Sequence, residues 1–358
     1  MPPTNLLNRL KRYYDANSEK DLPIVSPSIA ASLSTLFTLV YVLPFYLFPS
    51  TRPSPNLNRD APTVIRARIR TVSFACFIST LSTIYLIHYQ STKTANSDNF
   101  VSLETLHLLG YWPLFQNFTT SLLDPLLLTS ILFLGPLFEK LVVQQSYRHW
   151  LTGPASLPTT LRSSTGFRNY VAGPITEEIL FRSVIIPLHL LARISPTKIV
   201  FLTPLYFGIA HVHHFYEFTL THPYMSTLPA LLRSLFQFTY TTLFGWYAAF
   251  VYLRTGSLIT VILMHSLCNW CGLPRFWGRV AAGEPIGPPP GFVRVEGSGK
   301  DDDETDVDAI HVGGASQVPG LAWTVAYYLL LSIGVYGFKA GLWRLTESSN
   351  ALASFGET

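Results

Sequence analysis

The chain has 358 residues, 48% of them hydrophobic and only 13% charged, with a formal net charge of +4. A soluble domain carries about 25% charged residues, so this supply cannot cover a globular surface, and neither a soluble enzyme nor a disordered chain fits. The basic residues form no long run, which argues against a nucleic-acid partner; the composition is that of a polytopic membrane protein.

A helix needs roughly 20 mainly apolar residues to cross about 30 Å of hydrocarbon. Residues 1–25 hold Arg9, Lys11 and Arg12 with no apolar core ahead of a cleavage site, so the first span, 26–48, is expected to act as an uncleaved anchor. The connection 49–70 carries Arg52, Arg59, Arg66, Arg68 and Arg70, a density that suggests its cytosolic side, whereas the basic N-terminus across the first span argues for the opposite orientation. A second span follows at 71–89. Segment 104–115 is too short to cross and reads as an interfacial or re-entrant helix, with Tyr111 and Trp112 suited to the headgroup zone. Asn117-Phe118-Thr119 is a glycosylation sequon close to a span. Further spans are expected at 121–143, 169–192, 197–215, 228–252, 257–273 and 321–343, about eight in all. The stretch 278–319, Pro/Gly-rich and then acidic from Asp301 to Asp308, reads as a solvated flexible loop. It lacks the turn glycine and ligand spacing of a calcium loop. No internal repeat supports a transporter of duplicated halves.

Ionisable groups inside spans are costly and by default point to function. Glu177, Glu178 and Arg182 lie in GPITEEILFRS. Residues four apart share a helix face, so Glu178 and Arg182 can pair. Glu177 is turned by about 100° from its neighbour and is left to face a cavity as a candidate general base. The alternative is a helix that begins at the interface with both acids in water. In LYFGIAHVHHFYEF, His211 is the deepest histidine, whereas His213, His214, Tyr216 and Glu217 read as the span running out into the interface. In ITVILMHSLCNWCG, His265 and Asn269 are four apart on one face. They supply a donor pair for a developing negative charge, or an interhelical packing bond.

Together these groups suit attack of water on a carbonyl: Glu177, helped by His211, takes the proton, and His265 and Asn269 bond the oxyanion. One such donor is typically worth about 3 kcal/mol of barrier. A zinc site from Glu177, His211 and His265 is a lesser alternative, and no His-Glu-x-x-His is present. The cysteines are Cys76, Cys268 and Cys271. Cys268 and Cys271 form a Cys-x-x-Cys inside an apolar helix, without the fold of a redox site, and packing is the expected role.

The ordered set Glu177-Glu178-x-x-x-Arg182, Phe207-x-x-x-His211 and His265-x-x-x-Asn269 resembles the type II CAAX prenyl endopeptidases, within the wider CPBP group of intramembrane proteins, most sharply over residues 167–275. The resemblance implies an all-α, multi-pass bundle of eight transmembrane helices in the endoplasmic reticulum membrane, with an intramembrane catalytic cavity; because the connecting segments read as no separate domain, residues 1–358 are expected to form one membrane domain. It implies a hydrolase that removes the last three residues of farnesylated or geranylgeranylated CAAX proteins such as small GTPases. It also implies Glu177 and His211 as the water-activating residues, His265 and Asn269 as the oxyanion site, Glu178 and Arg182 as supporting residues, and no metal cofactor. The rival readings are a non-proteolytic membrane scaffold and a proton-coupled transporter using Glu177 and His211.

Overall fold

The computed structural model describes residues 25–52, 59–95, 102–112, 117–149, 156–280 and 319–355; the basic N-terminal residues and the acidic run at Asp301 lie outside them. Helices are the only regular elements among the described residues, and no strand occurs. Serine caps start several of them. Ser26 Oγ accepts from Ile29 N at 3.3 Å ahead of the helix Pro27–Val42, and Ser195 and Ser257 play the same part for Pro196–Ala210 and Leu258–Cys271. Proline at the first helical position needs no partner for an N–H it lacks. The helix Thr227–Thr255 stops at Gly256, whose φ of +59° is the left-handed conformation glycine adopts at little cost.

Among the described residues three helices are long and apolar enough to cross a membrane: Pro27–Leu47, Pro62–Tyr89 and Leu321–Gly341. A fourth is reached if the pair Thr119–Leu132 and Leu134–Val143 is counted as one span. That pair covers the expected third span, yet it bends by 81° at Phe133. Pro136 has no N–H to return to the preceding turn, and Gly334 of the facing helix lies so close that a Cβ there would meet Leu132 O at 3.3 Å. The second span starts earlier than expected: its helix begins at Pro62, so Arg66, Arg68 and Arg70 lie on it rather than in a loop. The expected span 197–215 ends as a helix at Ala210 and turns at His211 and Val212 before a separate helix, His213–Thr221. The helix Leu258–Cys271 has 14 residues, about 21 Å at 1.5 Å per residue, short of the hydrocarbon thickness.

Segment Leu103–Leu108 is short, as expected, but docks into the protein. Leu108 and Leu109 are buried, the Tyr252 hydroxyl donates to Leu108 O at 3.2 Å, and Ser183 Oγ donates to Leu109 O at 2.6 Å. The core centres on residues 180–191, where Leu180, Val184, Ile185 and Leu188 are fully enclosed. Outward faces of the bundle carry large apolar side chains such as Phe74, Leu232, Leu235 and Leu329. An apolar exterior around a packed interior is what lipid demands. Helices Pro196–Ala210 and Thr227–Thr255 run closely together. A Cβ on Gly245 would stand 2.6 Å from Pro204 Cβ, so glycine is needed there for the two backbones to approach.

Candidate active site

The site grows from one unusual helix. Residues 164–191 are continuously helical but alternate α turns with two wider π stretches, Arg168–Ala172 and Ile179–Val184. Between them lies the α segment Gly173–Glu178, which carries both glutamates. Wide turns of this kind recur at functional sites because they re-aim neighbouring side chains. Here Glu178 points inward with no exposed surface, and Glu177 retains 23% exposure on the wall of a cavity.

Glu178 holds a partner on each oxygen. Oε2 pairs with Arg182 Nε at 3.0 Å, the expected one-turn pair, and Oε1 accepts from His265 Nδ1 at 2.7 Å. Arg182 is 1% exposed, with its guanidinium 4.7 Å from the Phe207 ring centroid and 5.6 Å from that of Phe244. The aromatic faces partly replace the hydration this buried cation has lost. The other nitrogen of His265, Nε2, lies 3.7 Å from Glu177 Oε2. A chain of four groups therefore runs from the cavity inward: Glu177, His265, Glu178, Arg182.

His211 occupies the turn that ends the helix Pro196–Ala210. Its Nδ1 lies 2.8 Å from Phe207 O. A carbonyl only accepts, so Nδ1 carries the hydrogen and Nε2 presents a lone pair in the neutral ring. Phe207 lies against His211, Phe181, Phe244 and His265. It thus locks the orientations of the histidines rather than merely filling space. Asn269 is exposed to the cavity and spends one N–H on Asn169 O at 2.9 Å; its amide keeps a second donor. Glu177, His211, His265 and Asn269, named from the sequence, all line one cavity of ≈ 1040 Å³. The histidine within 4 Å of Glu177 is His265, not His211. Glu178 and Arg182 stand behind the wall.

Sequence reading missed several parts of this wall. Tyr41 and Thr176 bond through their hydroxyls at 3.0 Å beside Glu177. Cys76 Sγ donates to Thr176 O at 3.2 Å. Phe244, Arg168 and Asn169 carry no motif signal of their own. Cys268 lines the cavity, whereas Cys271 is buried. The largest correction concerns Glu217, which is only 2% exposed rather than solvated at the interface. Arg68 Nη2 donates to its Oε1 at 2.5 Å, Arg59 lies 3.5 Å from Oε2, and His214 Nδ1 bonds Oε2 at 3.0 Å. Burial alone pushes the Glu217 carboxyl up, but the His214 hydrogen bond and the charges of Arg68 and Arg59 outweigh it and hold it well below the usual carboxylate range. The arginine-dense stretch after the first span was the available signal; the buried acid it neutralises was not legible.

The metal alternative draws on Glu177, His211 and His265. Among the described residues the trio whose ligand atoms lie within 4.8 Å of one another is instead His213, His214 and Glu217. Two guanidinium groups already share that carboxylate, and their charge opposes a divalent cation there.

The sequence profile of the type II CAAX prenyl endopeptidase Rce1-like family matches residues 160–271, which contain the whole of the glutamate, histidine and asparagine set. The chain is 37% identical over 248 residues to the probable CAAX prenyl protease 2 of Schizosaccharomyces pombe, covering 69% of this chain and 82% of that one. It is 35% identical over 239 residues to human CAAX prenyl protease 2, covering 65% and 68%. Against the CAAX prenyl protease 2 of Arabidopsis thaliana it is 30% identical over 270 residues, covering 71% and 83%. No solved structure gives a significant match.

Proposed function

The chain belongs to the type II CAAX prenyl endopeptidase Rce1-like family, is a membrane protein and a CAAX prenyl endopeptidase, and from that premise we propose how its cavity cuts a prenylated chain. Its substrates are proteins ending in CAAX whose cysteine carries a farnesyl or geranylgeranyl group, small GTPases among them, and it releases the last three residues. Glu177 removes a proton from water, and the hydroxide attacks the carbonyl of the prenylated cysteine. The amide oxygen becomes negative in the tetrahedral state. Asn269 donates one N–H to it, a contact worth about 3 kcal/mol in comparable sites. When the state collapses, the C–N bond breaks and the leaving amine takes the proton that Glu177 carried.

The histidines divide the remaining work. With Nδ1–H committed to Glu178, His265 donates to the oxyanion only through a proton on Nε2, that is, as the imidazolium. His211 presents its Nε2 lone pair to the attacking water, positioned by Phe207. No step calls for a metal. The catalytic unit spans about 167–275 within a single membrane domain. The full chain is an eight-pass bundle of the endoplasmic reticulum membrane, with its shorter and bent helices counted as passes.

The observation that supports this reading is the shared cavity itself. Its polar wall carries Glu177, His211, His265 and Asn269, while Phe45, Phe133, Leu331 and Phe338 line it elsewhere with apolar surface suited to an isoprenoid chain. The test is release of the tripeptide from a farnesylated CAAX peptide by the purified full chain in lipid nanodiscs, with and without a chelator. Release that survives chelation and disappears in a normally inserted Glu177→Ala variant is expected. Undiminished cleavage by that variant overturns the proposal, and the absence of any peptidase activity returns the scaffold and transporter readings.

A further inference from the structure

Part of the cavity wall carries basic side chains that the catalytic groups do not account for. Arg59, Arg68 and Arg168 all line it, together with His213 and His214. The carboxylates packed against these arginines are Glu217, shared by Arg68 and Arg59, and Asp60, whose Oδ1 lies 2.6 Å from Arg168 Nη1 and 3.9 Å from Arg59 Nε. Among the described residues three guanidinium groups thus face two carboxylates, and one further carboxylate balances the set. Each arginine carries five N–H donors in a planar fork. Arg168 commits Nη1 to Asp60 and Nε to Asn169 Oδ1 at 3.0 Å, which leaves Nη2.

The spacing fits a short peptide. Arg168 and Glu177 belong to one continuous helix and both line the cavity. Glu177 is nine positions after Arg168, at most about 13 Å of helix axis, since the π stretch rises less than the 1.5 Å per residue of an α-helix. An extended tripeptide spans roughly 10 Å, and the reach of an arginine side chain covers the difference. We infer that Arg168, assisted by Arg59, binds the terminal α-carboxylate of the substrate, so that its distance from Glu177 fixes cleavage three residues from the chain end.

This inference rests on the endopeptidase reading, and the experiment separates the two. The full chain in nanodiscs is given one farnesylated CAAX peptide as the free acid and the same peptide as its C-terminal carboxamide. Failure to cleave even the free acid overturns the endopeptidase reading itself. If the inference is right, the carboxamide loses roughly tenfold to a hundredfold in kcat/KM, the size of a lost charge-assisted bond, mostly through KM. Arg168→Gln lowers the free-acid value by a similar factor and leaves the carboxamide value near wild type. Equal cleavage of acid and carboxamide by the wild type overturns the inference. So does an Arg168→Gln variant that slows both substrates alike, because a purely structural arginine acts on both. Should Arg168→Gln fail to insert, Arg59→Gln takes its place in the same comparison, and the same two outcomes overturn the inference.

Discussion

His265 Nδ1 lies 2.7 Å from Oε1 of Glu178, a carboxylate with no exposed surface whose other oxygen meets Arg182 at 3.0 Å. The buried glutamate therefore does two things: it neutralises a guanidinium and it fixes which nitrogen of His265 faces the cavity. Glu178→Gln is expected to weaken both. Breaking a buried pair by changing one partner costs about 3–5 kcal/mol, so thermal unfolding in detergent should move sharply downward. The double variant Glu178→Gln with Arg182→Met removes the stranded charge and should recover much of that stability. It should not recover kcat, because His265 still lacks its anionic partner. A double variant that regains both would reduce Glu178 to a packing role.

Glu177 is the complementary case. It lies 3.7 Å from His265 Nε2 and opens on the cavity, so the fold asks little of its charge. Glu177→Gln keeps the shape and removes the base. General-base removal typically costs 10²–10⁴-fold in rate, and the loss is expected in kcat, with KM and the unfolding midpoint close to wild type. A large drop in stability with a modest loss of rate would assign Glu177 to the fold instead.

Much of this site can be read from spacing alone, for a definite reason. The pairs Glu178 with Arg182, Phe207 with His211 and His265 with Asn269 are each one helical turn apart, and helical geometry sets such neighbours whatever surrounds them. What the sequence leaves open depends on contacts between helices. The bond between Glu178 and His265 joins residues 87 positions apart, so nothing local reveals which histidine stands beside the glutamates, and the sequence alone favours His211. Glu217 reads as solvated because its neutralising partners, Arg59 and Arg68, lie about 150 residues away in a stretch that reads as a loop. Helix breaks are also illegible: the 81° bend at Phe133 needs Pro136 and the close approach of Gly334, one local cause and one remote.

Cys268 faces the cavity, whereas Cys76 and Cys271 are buried. A thiol there is a neighbour of the reaction, not a participant. Cys268→Ala should cleave the farnesylated peptide at close to the wild-type rate. Bulky maleimides should nevertheless inhibit the wild type by occupying the cavity, and Cys268→Ala should resist them. Abolished activity in a normally inserted Cys268→Ala protein would instead assign the thiol a part in the reaction.

The Glu217 cluster makes a prediction about acid stability. His214, Arg68 and Arg59 hold the folded-state carboxyl below its usual range against the opposing effect of burial. A group whose folded value is depressed stabilises the fold in full above its unfolded value, about 4.3 for glutamate. That contribution is lost as the pH falls from there through the lower folded value. Glu217→Gln should therefore unfold at a lower temperature than the wild type at pH 7. The gap should hold down to about pH 4.3 and narrow on further acidification, because protonation then removes the same charge from the wild type. Other acids titrate equally in both proteins, so the difference between the two curves isolates Glu217. Curves that remain parallel from neutral pH into the acid range would show that its carboxylate does not anchor Arg68 and Arg59.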